Sequence, residues 1–157
     1  MAVACGNNHT VVIDENGPLF GFGSGSSGQL GNGVLEDDNK PLGINVRAPV
    51  RQIAAGWDYT GIVTEAGDLL MCGCGEDGQL GLGDKNNRTT PTLVERAVFD
   101  DESVLMVACG TKHTAVVTEG GGVYTFGNGQ YGQLGHGDTQ NELVPRRVSA
   151  RHAVDLG

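Results

Sequence analysis

The sequence predicts an all-β chain built as three four-stranded blades of a β-propeller. Three observations carry this. The chain repeats itself in register, reading ACGNNHTVVIDENGPLFGFGSGSSGQLGNG from Ala4, AAGWDYTGIVTEAGDLLMCGCGEDGQLGLG from Ala54 and ACGTKHTAVVTEGGGVYTFGNGQYGQLGHG from Ala108. Each copy alternates short runs rich in β-branched residues with Gly-centred turns, as antiparallel strands joined by hairpins do. No stretch sustains a helical period. Four strands recurring every fifty or so residues fit a propeller blade. A solenoid of single strands has a shorter period, and an immunoglobulin-like sandwich does not repeat internally.

The elements follow in order. Each blade opens on a strand ahead of its first glycine, Val104 to Cys109 in the third copy. The second strand, His9 to Ile13 in the first copy, is short and β-branched. Asp14-Glu15-Asn16-Gly17 then reverses the chain, with glycine where φ must be positive, and Thr64 to Gly67 and Thr118 to Gly121 repeat it. Pro18 to Gly23 is the third strand, and a fourth lies around Pro145 to Val148. Proline suits an edge strand, where no ladder donor is lost.

Gly6, Gly56 and Gly110 set offsets of 50 and 54 residues, and the register holds without a gap to Pro41, Pro91 and Pro145. The extra four residues therefore fall after Val94, in the acidic stretch Glu95 to Ser103, which is predicted to be a surface loop. The chain 1–157 reads as one partial propeller with repeats 3–53, 54–107 and 108–153, and with Val154-Asp155-Leu156 opening a fourth in 154–157.

Composition narrows the function classes. Net charge is −9 and no Lys/Arg cluster offsets it, which argues against direct nucleic-acid binding. The one basic spot, Arg146-Arg147 with Arg151 nearby, reads as an edge-strand solubility device. No apolar run, signal-peptide pattern or lipidation motif points to a membrane. Cys5 and Cys109 share a repeat position with Ala55, so they read as small buried residues. Cys72 and Cys74 are too close for the usual zinc spacing. Unpaired thiols imply a reducing, intracellular setting, nucleus or cytoplasm.

Several motifs imitate chemistry. Gly23-x-Gly25-x-x-Gly28, with its copies at Gly73 and Gly127, satisfies a dinucleotide fingerprint, but Gln-Leu-Gly-x-Gly follows and no helix can start there. No cofactor is expected. His9 and His113 recur beside Thr10 and Thr114. A catalytic histidine would stand once with unique partners, so these are expected to tie down the blade backbone. His136 and His152 are expected to be isolated and exposed. The runs Glu36-Asp37-Asp38 and Asp100-Asp101-Glu102 lack the glycine and closing glutamate of a calcium loop. No catalytic constellation is visible, and the chain is not expected to be an enzyme.

The skeleton A-x-G-x-x-H-T followed by Gly-Gln-Leu-Gly, at Gly28 to Gly31, Gly78 to Gly81 and Gly132 to Gly135, resembles the regulator of chromosome condensation repeat over nearly the whole chain. Repeat two departs from it at Tyr59 and Cys72, both read as packing changes. The resemblance implies a seven-bladed ring of which three blades are present. It also implies a choice of roles: partner docking and scaffolding, nucleotide exchange on a Ran-type small GTPase, substrate docking in a larger ubiquitin ligase, or ultraviolet sensing in plants. The ultraviolet-sensing members carry many tryptophans followed by basic residues, and this chain has a single Trp, which sets that role aside. The exchanger carries a wedge-like insertion, and no link here exceeds its sisters by more than four residues.

The first reading is a protein-interaction module. Loops after the first and third strands emerge on one side of a blade, and there the copies differ within fixed glycines. Trp57, Asp58, Glu76, Asp77, Lys112, Gln130 and Tyr131 are the candidate partner-binding residues, with Trp57 and Tyr131 as anchors. The opposite face carries the hairpin turns and the acidic link. Three blades leave two open end faces, so the sequence also predicts either a longer parent chain or self-association through those edges.

Overall fold

A computed structural model describes residues 1–149 of the chain, which form three four-stranded antiparallel sheets. Blade one is β1 (Ala2–Cys5), β2 (His9–Ile13), β3 (Leu19–Gly23) and β4 (Asp38–Ile44). Blade two is β5 (Val50–Ala55), β6 (Tyr59–Thr64), β7 (Leu69–Gly73) and β8 (Arg88–Val94). Blade three is β9 (Val104–Cys109), β10 (His113–Thr118), β11 (Val123–Gly127) and β12 (Glu142–Arg147). Strands pair in sequence order within each blade. The register repeats as well: Thr10 opposes Phe22, Thr60 opposes Cys72 and Thr114 opposes Phe126. Pro41, Pro91 and Pro145 all lie on the outermost strand, where a missing N–H breaks no ladder. The proposed start of a fourth repeat, with Arg151 and His152, lies outside the described residues.

Hydrophobic burial falls between blades rather than within them. Val11, Ile13, Leu19 and Ile44 of blade one pack on Ile53 and Ile62 of blade two. Tyr59, Val63, Leu69, Met71 and Val94 of blade two pack on Val104, Val107, Val116, Tyr124 and Phe126 of blade three. Each large aliphatic side chain so buried contributes about 1.5–3 kcal/mol. Of the inner strands, β1 lies against β5 and β5 against β9. Among the described residues no sheet covers the far face of blade one or of blade three. Val3 is 65% exposed where its counterparts Ile53 and Val107 are 7% and 1% exposed.

Glycines fix the approach of one blade to the next. Gly28 has φ +90°, and a Cβ there would come within 2.4 Å of the Arg88 carbonyl oxygen in blade two. Gly78 meets Glu142 and Leu143 of blade three in the same way. The hairpin glycines Gly17, Gly67 and Gly121 have φ of +97°, +84° and +83°, the positive values that the turn pattern predicts.

Three expectations need correction. The link after Val94 is not a bare surface loop: a 3-10 turn at Arg96–Phe99 buries Phe99 completely, its ring meeting Tyr124 edge-on at 5.3 Å. The insertion has acquired a core residue of its own. Among the described residues Cys5 is exposed, whereas its counterpart Cys109 packs on Gly61 of blade two. His136 is half-buried, with Nε2 2.9 Å from Thr125 Oγ1. All four cysteines are free.

Candidate functional site

The loops after the first and third strands share one side of the molecule, held by a hydrogen-bond frame that recurs blade by blade. Ser24, Cys74 and Asn128 donate backbone N–H to the carbonyls of Asn8, Asp58 and Lys112, joining the two loops within each blade. Gln29, Gln79 and Gln133 accept at Oε1 from the N–H of Ser27, Asp77 and Tyr131, at 2.8 to 2.9 Å. Asp37, Asn87 and Asn141 accept at Oδ1 from the N–H of Gly25, Gly75 and Gly129, at 2.9 to 3.0 Å. The first loops are also linked across blades, since Asn7 N–H donates to the Trp57 carbonyl and Trp57 N–H to that of Thr111. Sequence reasoning missed the Gln and Asx braces. Their signal was present as identical offsets in the three copies.

A second set of bonds latches each blade to the next. His9 Nε2 lies 2.9 Å from Thr60 Oγ1, and Thr60 Oγ1 donates to the Gln29 carbonyl at 2.8 Å. The Thr60 hydroxyl hydrogen is thus committed, so His9 donates through Nε2. Its Nδ1 is buried without a partner. Burial holds the His9 pKa below the usual histidine value, opposed in part by the Asp58 carboxylate. At the next junction Thr114 Oγ1 donates to the Gln79 carbonyl at 2.8 Å, while Tyr59 supplies its hydroxyl to the carbonyls of His113 and Gly110. The repeated His-Thr pair therefore ties blade to blade, and not its own backbone as the sequence suggested. Gly6 makes room for the ring: a Cβ there would stand 2.2 Å from His9 Cε1.

The candidate binding residues divide into two groups on this frame. Asp77 and Lys112 engage each other across the junction at 3.2 Å, and Asn128 Nδ2 donates to Asp77 at 2.9 Å. The Asp77 carboxylate raises the Lys112 pKa. Asp58 is half-buried and accepts a long bond from Gln29 Nε2 at 3.4 Å. The backbones of Trp57, Gln130 and Tyr131 belong to this frame, while the side chains of Trp57, Glu76, Gln130 and Tyr131 project from it, with Trp57 50% and Tyr131 85% exposed.

Trp57 lines a shallow depression of about 310 Å³ with Cys5, Asn7, Cys109 and Thr111, drawn from all three first loops. Lys112, His113, Gln130, Tyr131 and Gln133 line a groove of about 500 Å³. The two hollows adjoin through Thr111, which lines both. His113 and Gln133 are the counterparts of His9 and Gln29, which blade two covers. The groove at Tyr131 is thus the same surface that the other blades use against a neighbour.

The remaining motifs are architectural. No helix follows Gly28, whose loop instead abuts the blade-two backbone. Arg146 pairs with Glu142 and Asp138, and Arg147 with Asp100, so both arginines are answered within their own chain. On the opposite face Arg96 binds Asp68 and the Ala66 carbonyl, and Glu102 binds Thr118. Among the described residues, no group of three His, Cys, Asp or Glu side chains could hold a metal, and no helix is long and apolar enough to cross a membrane.

Comparison with known proteins agrees with this architecture. The regulator of chromosome condensation (RCC1) repeat profile matches residues 16–63, 66–117 and 120–155, and a second profile of that description matches 2–29 and 50–79. The first frame starts at the hairpin turn, so its first two repeats each join the outer half of one blade to the inner half of the next. The chain is 41% identical over 150 residues to the ultraviolet-B receptor UVR8 of Arabidopsis thaliana, covering 94% of this chain and 34% of the receptor. It is 38% identical over 149 residues to the probable E3 ubiquitin-protein ligase HERC4 of Rattus norvegicus, covering 93% of this chain and 14% of the ligase. Human WBSCR16 superposes with a TM-score of 0.82 at 30% identity, over 95% of this chain and 39% of that one. Prp20p from Saccharomyces cerevisiae, whose binding properties to Gsp1p and histones were described with its crystal structure, superposes with a TM-score of 0.84 at 25% identity, over 94% of this chain and 38% of that one. The chain thus spans about a third of the receptor and a smaller part of the ligase.

Proposed function

The chain belongs to the regulator of chromosome condensation (RCC1) repeat family, and on that premise we propose that it is a protein-docking module whose loop face binds a partner protein around Trp57. The observation that carries this is the half-exposed Trp57 ring on a hydrogen-bonded frame. A large amphipathic ring that needs no ordering on binding supplies contact area at low entropic cost. Glu76, Gln130 and Tyr131 give the same face polar and aromatic contacts that differ from blade to blade. The reading assigns no acid, base or nucleophile to the chain, and it places the work in the nucleus or cytoplasm.

The test compares wild type, Trp57→Ala and Trp57→Ala with Tyr131→Ala in quantitative pull-downs from the source organism, with circular dichroism to verify folding. Loss of specific partners in the folded variants supports the reading. An unchanged partner set ends it. A second reading, substrate docking within a larger ubiquitin ligase, is supported by the 38% identity to HERC4, of which the chain matches 14%. It is tested by whether the parent gene encodes a ligase domain.

A further inference from the structure

The outer rim between blades two and three carries an apolar groove of about 240 Å³, walled by Leu82, Leu93, Val98 and Val144 with Arg88 and Glu95 as its polar lining. Leu93 and Val144 are 41% and 42% exposed. Leu82 and Val98 are half-buried and rest on the core beneath. The apolar character is peculiar to this junction. Leu82 stands where the sister blades have Asn32 and His136, Leu93 where they have Gly43 and Arg147, and Val144 where they have Lys40 and Thr90. Val98 lies in the link with the four extra residues. Scattered exposed aliphatics are ordinary on a surface, but four converging on one hollow make a patch.

Charge says what would fill it. The Arg88 guanidinium is held by both carboxylate oxygens of Asp84, at 2.8 and 3.2 Å, so its charge is answered within the chain. Glu95 is exposed, and no ion pair answers its carboxylate among the described residues. The groove therefore presents apolar walls beside one uncompensated negative charge, on a chain of net charge −9. We propose that it docks a peptide segment of a partner protein in which an aliphatic side chain stands next to Lys or Arg. The aliphatic group would fill the hollow and the cation would meet Glu95. The groove shares no lining residue with the Trp57 depression or the Tyr131 groove, so this surface is separate from the loop-face reading and does not depend on it.

The experiment titrates the ¹⁵N-labelled full chain with acetyl-Ser-Leu-Lys-Ser-amide, and separately with the Ser-Leu-Glu-Ser peptide, up to about 5 mM. Saturable amide shifts at Leu82, Leu93, Val98 and Val144 are expected with the Lys peptide, and weaker ones with the Glu peptide. Leu93→Arg should weaken binding roughly tenfold or more. Val144→Lys, in the facing wall, gives the same reading independently should the first variant fold poorly. The proposal falls if no saturable shift appears, if the wall substitutions leave binding unchanged, or if the Glu peptide binds equally well. It also falls if the groove shifts on concentrating the protein alone, which would assign the surface to a second copy of the chain.

Discussion

Tyr59 of blade two donates its hydroxyl hydrogen across the junction to the His113 carbonyl of blade three, 2.5 Å away, from the repeat position at which His9 meets Thr60 one junction earlier. One position thus closes two junctions with different chemistry. Burial pushes the Tyr59 phenol far above its usual pKa, so it remains a donor at all working pH.

Tyr59→Phe keeps the ring and removes the latch. The His113 carbonyl retains its bond from Gly110 N–H, so the loss falls toward the lower end of about 1–3 kcal/mol. Urea denaturation should show a lower midpoint with an unchanged slope. An unshifted midpoint would mean that the hydroxyl contributes nothing to the junction.

The other junction is sensitive to pH. The folded-state pKa of His9 is depressed by burial, so in acid the unfolded chain takes up a proton that the folded one resists. Stability associated with His9 is complete above the unfolded histidine value of about 6.5. It is lost as pH falls through that value toward the lower folded pKa, and levels off below it. His113 is lowered by burial and acts in the same direction. Denaturation midpoints taken between pH 7.5 and 5 should fall more steeply for wild type than for His9→Gln, and parallel profiles would refute the assignment.

Phe99 gives the extra link a structural role. Its ring is fully buried against Tyr124, so Phe99→Ala should cost about 3–5 kcal/mol, far more than truncating an exposed loop residue. Thermal or chemical denaturation reads this directly, and a loss within about 0.5 kcal/mol would return the link to the status of a surface loop.

Two glycines of similar φ separate backbone strain from steric contact. Gly17 has φ +97° with nothing within 4 Å of a built Cβ, whereas Gly28 has φ +90° with the Arg88 carbonyl oxygen 2.4 Å away. Gly17→Ala should cost about 1–2 kcal/mol for the left-handed conformation alone. Gly28→Ala should cost more, because it also drives blade two outward. Equal losses would show that the blades are not packed as tightly as the Gly28 contact implies.

The fold was legible because each rule was written in triplicate. Positive-φ turn glycines, β-branched strands and edge prolines recur at fixed offsets, and three agreeing copies outweigh any local ambiguity. What escaped was information held in one copy or between copies. The 3-10 turn at Arg96–Phe99 has no sister to compare, and its Phe99 looks in sequence like any loop residue. Cys5 was misjudged because burial at that position depends on a neighbouring blade and not on the residue itself. The partner of His9 lies 51 residues away, a distance that no local pattern encodes. Of the proposed binding residues, Asp77 and Lys112 are paired with each other, which only their three-dimensional juxtaposition reveals.

The two junctions are not equally filled. The buried apolar cluster at the first junction is wholly aliphatic, while that at the second includes Tyr59, Phe99, Tyr124 and Phe126. In a stack whose units couple only to their neighbours, such inequality sets an order of release. Of the two described junctions, that of blades one and two should open before that of blades two and three, so the arc behaves less like one rigid body than like a hinge with a weak leaf and a strong one.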